Sequence, residues 1–272
     1  MVVVVVGHTE TMLRFAVAGG IAIAAAYLYH KRRRVNLTLG YWKIRGLAAP
    51  ARMMLAYAKA EGRCDFEDCA YELHEKEGGG YDNSSWMKNA KPGLKERNAL
   101  INLPYVIDHS SGLVVTQSTA VFQFIARKVG LLGSCERAVA ECEQTLAEAL
   151  DLRNATMKLV YPFSGINAED YPSKLVEHLA KVFTGHATKF ESFLGGRSYF
   201  AGEELTAGDF HVWEMLDQHA LMAKRAGLPA PLAQYPKLAA FHARVAALPQ
   251  LAAYFESPEY GYIVNNKMAN FK

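Results

Sequence analysis

Leu37-Thr-Leu-Gly-Tyr41, then Trp42-Lys-Ile-Arg-Gly-Leu-Ala48, then Ala49-Pro-Ala-Arg-Met-Met-Leu-Ala-Tyr-Ala-Lys-Ala60 ahead of Gly62, is the stretch that decides the fold. Its periodicity predicts a strand over 37–41 and a helix over 49–60, begun by Pro50 and stopped by Gly62. A second strand follows over 66–71, so the body starts as a βαβ unit. Beyond a polar, Gly-rich loop over 75–83, a short helical stretch around Trp86 leads to a strand at Pro104–Asp108 and a turn. A further strand at Leu113–Thr116 and a helix opened by Ser118 complete the order βαβαββα, which ends near Gly133.

From there the chain reads as helical, with Ala- and Leu-rich runs over 136–161, 174–194 and 236–247. Thr206-Ala-Gly-Asp209 before an apolar run has the form of a capping box, in which each end residue satisfies the other's free backbone N–H. The expected fold class is α/β plus all-α. Its divisions are an N-terminal segment over 1–36, an α/β domain over 37–133 and an all-helical domain with a C-terminal tail over 134–272.

Composition narrows the function. With 51% hydrophobic and 21% charged residues, the chain is neither disordered nor a polytopic membrane protein. The formal charge of +3 comes from the first 36 residues, where Arg14, Lys31, Arg32, Arg33 and Arg34 face only Glu10; the body is close to neutral. Such a body has no electrostatic reason to bind nucleic acid. Cys64, Cys69, Cys135 and Cys142 form neither a CxxC pair nor a metal-spaced cluster, so no metal is expected, and a reducing compartment, cytosol or mitochondrial matrix, fits them.

The run Phe15–His30 is uncharged and ends against Lys31-Arg-Arg-Arg34, a stop-transfer arrangement. As a helix it would span roughly 24 Å against a hydrocarbon core of about 30 Å, unless Met12 and Leu13 join it. Ala16, Gly20 and Ala24 share one helical face, where a partner helix could approach closely. The sequence expectation is one transmembrane helix that anchors the body, with a mitochondrial membrane as the expected site.

Read in order, Leu39-Gly-Tyr-Trp-Lys-Ile-Arg-Gly-Leu-Ala48, Tyr81-Asp-Asn-Ser-Ser-Trp86, Asn102-Leu-Pro-Tyr-Val-Ile-Asp108 and Thr116-Gln-Ser118 resemble the Mu-class glutathione S-transferases. Ile125-Ala-Arg-Lys128, Phe200-Ala-Gly202, Asp209-Phe210 and Lys267-Met-Ala269 extend the likeness over nearly the whole body. The resemblance implies a thioredoxin-like domain followed by a helical one, glutathione as co-substrate, no metal, and conjugation of the glutathione thiolate to small hydrophobic electrophiles. Tyr41 matches the family's catalytic tyrosine, whose hydroxyl donates a hydrogen bond to the thiolate.

The resemblance further assigns glutathione binding to Trp42, Arg45, Leu47, Trp86, Lys91, Asn102, Leu103, Pro104, Gln117 and Ser118. Pro104 stands where the family keeps a cis-proline, although the sequence alone leaves it cis or trans. Gln117 and Ser118 lie at a helix start suited to a carboxylate. The spacing after Trp86 is a residue short, so the lysine facing the glycyl carboxylate is Lys91, with Lys88 as the alternative. Leu47, Leu146, Leu150, Met157 and Tyr161, with the tail near Phe271, would line the electrophile pocket; a helical leucine is as often plain core.

Two departures bear on partners. Leu100 takes the place of the aromatic key of Mu-class dimers, and a leucine buries less area. Ala147 stands where the family has an aspartate directed at the partner's site, with Glu148 adjacent. A homodimer is expected with a weakened key. The competing expectation is a Mu-class-like accessory subunit of a membrane complex, with residual or no catalysis.

Overall fold

A computed structural model describes residues 34–272, and Val35–Lys272 forms one compact unit. The expected transmembrane helix, with Ala16, Gly20 and Ala24, lies outside the described residues. Among the described residues, no helix is long and apolar enough to cross a membrane.

Strand β1 (Val35–Trp42) pairs in parallel with β2 (Cys64–Tyr71), and helix α1 (Ala49–Ala60) connects them. Antiparallel strands β5 (Tyr105–Asp108) and β6 (Val114–Thr116) complete a sheet of order β2-β1-β5-β6. The central place of β1 explains why Leu37 and Leu39 are fully buried. Gly40 is dictated by packing, because a Cβ there would lie 2.1 Å from the Tyr105 ring.

The polar loop over 75–83 is less irregular than the sequence suggests. It carries a small antiparallel ribbon, β3 (His74–Glu75) with β4 (Tyr81–Asp82), that three glycines at positive φ allow to turn. The stretch around Trp86 is a π-helical turn, Ser85–Ala90, that runs into α2 (Lys91–Arg97). Helix α3 (Ser118–Val129) follows β6 directly.

The second half is helical: α4 (Glu136–Val160), α5 (Tyr171–His178), α6 (Thr184–Leu194), α7 (Ala207–Arg225), α8 (Pro236–Ala246) and the short α9 (Ala252–Phe255). A π-helical turn, Leu179–Phe183, joins α5 to α6, so the run expected over 174–194 starts earlier, at Tyr171. Helix α7 is buried nearly all round and fills the centre of the unit. It approaches α4 closely at Gly208, where a Cβ would stand 2.8 Å from Thr145 Cβ.

One apolar cluster runs from Leu37 in β1 through α1 and α4 to α7 and α8, so the two halves share a core. Tyr57 of α1 meets Phe210 of α7 at 5.9 Å between ring centroids. The start of α7 is fixed by the capping box: Asp209 accepts hydrogen bonds from the Thr206 N–H and hydroxyl, both at 2.7 Å, and from the Phe200 N–H at 2.8 Å.

Candidate functional site

Tyr41 ends the buried part of β1 and is 5% exposed. Its hydroxyl oxygen accepts a hydrogen bond from the Leu47 N–H at 3.1 Å, which leaves the hydroxyl proton directed away from that amide. Gly46 makes this contact feasible. It adopts a φ of +41°, and a Cβ there would lie 2.8 Å from Tyr41 Cε1 and 2.9 Å from its oxygen.

The loop between β1 and α1 is held from three sides. Buried Arg52 donates to the Ile44 carbonyl at 2.6 Å and the Trp42 carbonyl at 3.3 Å, while its Nε pairs with Asp68 at 2.8 Å. The Arg45 and Gly46 N–H groups donate to the carbonyls of Ile263 and Val264, both at 2.9 Å, so the C-terminal segment covers the loop. The Arg45 side chain turns away into α7, where it pairs with Glu214 at 2.7 Å and Asp217 at 2.6 Å under the Tyr260 ring. Its Nε and Nη2 donors are spent there, so a role for Arg45 in peptide binding would run chiefly through its backbone and through the loop it fixes.

Along the sheet edge, the Leu103–Pro104 bond is cis, which closes the alternative left open by the sequence. Leu103 is half-buried, and its backbone N–H and C=O bond to nothing among the described residues. An extended peptide can pair there as an added strand. Exposed Asn102 is anchored by its backbone to Thr116 Oγ1, at 3.0 Å through its N–H and 2.7 Å through its carbonyl.

Gln117, next in line, is the non-glycine residue at positive φ among the described residues, with φ 73° and ψ 120°. It is exposed, and no side chain caps the helix that follows. The first N–H groups of α3, from Ser118 onward, therefore point at the cleft as a ready anion site. Trp86 is 2% exposed and stacks on Tyr105 at 5.8 Å, so most of its ring serves the core. The Lys91 ammonium lies 6.0 Å from the centre of that ring and Lys91 is half-buried, whereas Lys88 is exposed. Trp42 is half-buried against both clusters of the α/β half.

On the helical side, Leu47, Leu150 and Met157 are half-buried. Leu146 is 1% exposed and packs in the main core, and Phe271, 5% exposed, packs with Tyr161 and Met222 in a second cluster. The Tyr161 hydroxyl accepts a hydrogen bond from the Asn266 N–H at 3.1 Å, and burial pushes its pKa up. The sequence reading missed Arg153, half-buried on the same helix and within electrostatic reach of both Tyr41 and Tyr161. The one signal for it was a charge at the spacing of Leu150 and Met157.

The residues that the sequence reading linked to a partner subunit lie elsewhere. Leu100 is 72% exposed, Ala147 is exposed, and Glu148 is engaged within the chain by His186 at 2.7 Å and Lys189 at 2.8 Å. Among the described residues, no group of three or more His, Cys, Asp or Glu could hold a metal ion.

The profile of the glutathione S-transferase C-terminal domain matches residues 151–258. Glutathione S-transferase Mu 3 of Homo sapiens is 34% identical over 240 residues, covering 87% of this chain and 95% of that protein. Glutathione S-transferase Mu 1 of Oryctolagus cuniculus is 32% identical over 225 residues, 82% of this chain and 92% of its own length. Among solved structures, the glutathione S-transferase Blo t 8 superposes with a TM-score of 0.69 at 25% identity, covering 86% of this chain and 99% of its own. The Pi-class enzyme of Onchocerca volvulus, at 23% identity and a TM-score of 0.66, shares the fold. Matches of that length take in both the strand that carries Tyr41 and the helices that face it, and the chain belongs to the glutathione S-transferase family, with Mu-class proteins as its relatives.

Proposed function

We propose that this chain transfers the thiolate of glutathione to small electrophiles with an apolar body, and that Tyr41 is the group that stabilises the thiolate. The observation that carries this reading is the Tyr41 hydroxyl itself. Its oxygen is occupied by the Leu47 N–H, so its proton is free for an anion in the cleft. A free thiol with pKa about 8.5 is only a few per cent ionised at neutral pH, and each unit by which a hydrogen bond lowers that value is worth about 1.4 kcal/mol. The peptide would lie along Leu103 as an added strand, its γ-glutamyl carboxylate at the start of α3 and its glycyl carboxylate beside Lys91.

Protein lacking residues 1–36 tests the reading. It is expected to bind immobilised glutathione and to conjugate 1-chloro-2,4-dinitrobenzene. Failure to bind glutathione would overturn it.

Two finer parts of the reading rest on the sequence. The apolar run 15–30 with its basic flank supports tethering to a membrane, of which the mitochondrial is our choice, with the body on the basic side. Full-length chain is expected to stay with carbonate-washed membranes and the truncated chain to leave them. Leu100, so exposed a side chain, supports self-association or, in the accessory-subunit reading, contact with another protein. The native size after detergent extraction decides: a free dimer favours the enzyme, a large assembly the accessory role.

A further inference from the structure

Residues 1–33 join the body at Arg34, so the end of the sheet where β1 begins is also the end at which the preceding chain arrives. Hydrogen bonds gather several elements there. The Val35 N–H donates to the Arg63 carbonyl at 3.2 Å, and the His109 N–H to the Asn36 carbonyl at 3.1 Å. The Arg63 side chain reaches the Val129 carbonyl, where α3 stops, at 3.1 Å. Arg97, the last residue of α2, donates to the Gly112 carbonyl in the β5–β6 turn at 2.8 Å. Tyr41 lies at the other end of β1, roughly 20 Å away at about 3.3 Å per residue, so this face is separate from the thiol site.

Charge is uneven on this face. The α/β half presents exposed Arg34, Lys59, Arg63, Arg97, Arg127 and Lys128 around it. The acids among them are Glu61, Asp65 and Asp108, while Lys95 and Glu96 on α2 cancel each other. Asp108 is fully buried and holds Lys128 at 2.7 Å; Glu61 lies 3.6 Å from Arg63 and accepts a hydrogen bond from Gln250 at 2.8 Å. Six bases thus face three acids, on a body that is close to neutral as a whole. Leu113, next to the carbonyl that Arg97 holds, is 50% exposed.

We propose that this end of the α/β half is a lipid-facing surface that rests on a bilayer rich in anionic lipid. Two features of the chain favour a bilayer over other polyanions. The bases attract anionic headgroups within a Debye length, and the Leu113 side chain can enter the interface between them. The chain that arrives at this end also carries the apolar run 15–30 and Lys31-Arg-Arg-Arg34, a few residues before β1. A nucleic acid or an acidic protein would use the charge alone. The inference deepens the tethering reading above by naming which face of the body meets the membrane, with the thiol site turned to the aqueous side. The attraction itself belongs to the body and is measured without the apolar run.

Val35–Lys272 is one compact unit with its own core, so protein lacking residues 1–33 serves for the test. Co-sedimentation with phosphatidylcholine vesicles holding about one-third phosphatidylserine should show binding about tenfold or more tighter than to phosphatidylcholine alone, and none in about 0.5 M sodium chloride. The double variant K59E/R127E brings the affinity down to the neutral-vesicle level, and Leu113→Ser weakens it by about threefold. The control K174E/K224E makes the same change of charge at the start of α5 and the end of α7, remote from this face, and leaves binding as it was. Thermal midpoints report whether each variant is folded. The milder single variants Lys59→Gln and Arg127→Gln, each expected to lower the affinity by about threefold, keep the test open if the double variant is not. Equal binding to the two kinds of vesicle, or an equal loss in K59E/R127E and K174E/K224E, would overturn the proposal. So would a short DNA duplex that binds the body as tightly as the anionic vesicles at the same salt, since the face would then be a general polyanion surface. Neither glutathione nor the apolar run enters the measurement, so its failure is distinct from failure of the transferase or the tethering reading.

Discussion

Tyr41 depends on a neighbour that has no side chain. Any Cβ at position 46 would press into the Tyr41 ring edge and oxygen, and Gly46 also sits at a φ that other residues resist. Gly46→Ala is therefore expected to lower turnover by about tenfold or more by displacing the hydroxyl, with urea unfolding showing a loss of about 1–2 kcal/mol. Tyr41→Phe removes the donor without moving the ring. Turnover should fall by about tenfold to a hundredfold while affinity for glutathione changes little, and the pH at which the bound thiol ionises, followed by thiolate absorbance, should rise by one unit or more. A thiol that ionised at the same pH in Tyr41→Phe would remove the tyrosine from the mechanism. At this scale the sequence was readable where local order fixes the backbone, as in the helix start at Ser118, and it narrowed the bond before Pro104 to two forms. It was silent on Arg153, because a charge at helical spacing reads as a solvated face until the fold shows which face is covered, and it gave Arg45 a place in peptide binding without showing the acidic partners of its side chain, which lie in a distant helix.

Among the elements, the start of α3 and the start of α7 solve the same problem in opposite ways. Helix α7 is closed by its own capping box: Asp209 is fully buried and holds three donors. Asp209→Ala strands the Phe200 and Thr206 amides and should destabilise by about 2–4 kcal/mol in urea unfolding, with no loss of glutathione affinity beyond that from unfolding. Helix α3 is left open, and the residue before it is held at positive φ. Gln117→Gly should relieve that backbone cost and stabilise the unliganded protein by about 1 kcal/mol while weakening glutathione binding. Loss of stability in Gln117→Gly would show instead that the exposed side chain packs. The capping box was visible as Thr206-Ala-Gly-Asp209, and the helix and strand limits followed from Pro50, Gly62 and the apolar runs. The β3–β4 ribbon and the two π-helical turns were not, since neither a strand of two residues nor a turn within a helix has a periodicity of its own.

For the whole molecule, acid is the revealing variable. His178 and His219 stack with ring centroids 5.3 Å apart, and burial lowers their pKa values to about 4 and about 3; buried His211 falls to about 3. In the unfolded chain these rings titrate near 6.5, so between that value and 4 the unfolded state binds more protons. Their contribution is present above the unfolded value and lost as the pH drops. The unfolding midpoint should therefore fall steeply between pH 7 and 5, above the range where carboxylates titrate, and the double variant H178Q/H219Q should flatten that slope. Lower down, Asp108 adds a second loss. Burial alone would raise its pKa, but hydrogen bonds from Lys128, Ser110 and Ser111 hold it below the usual carboxylate range, so its share disappears only as the pH falls under about 4. Nothing in the order of these histidines along the chain announced their meeting, which depends on the last residue of α5 coming against α7.

The Ile263 and Val264 carbonyls that grip the Arg45 and Gly46 amides set a timetable for biosynthesis. The strand that bears Tyr41 emerges early from the ribosome, but the loop beside it gains its last two backbone ties only when residues near the other end of the chain have left the exit tunnel. A nascent chain can thus fold its sheet long before it has a finished thiol site, and stalled or prematurely terminated products would bear the tyrosine without the roof that holds its loop in place.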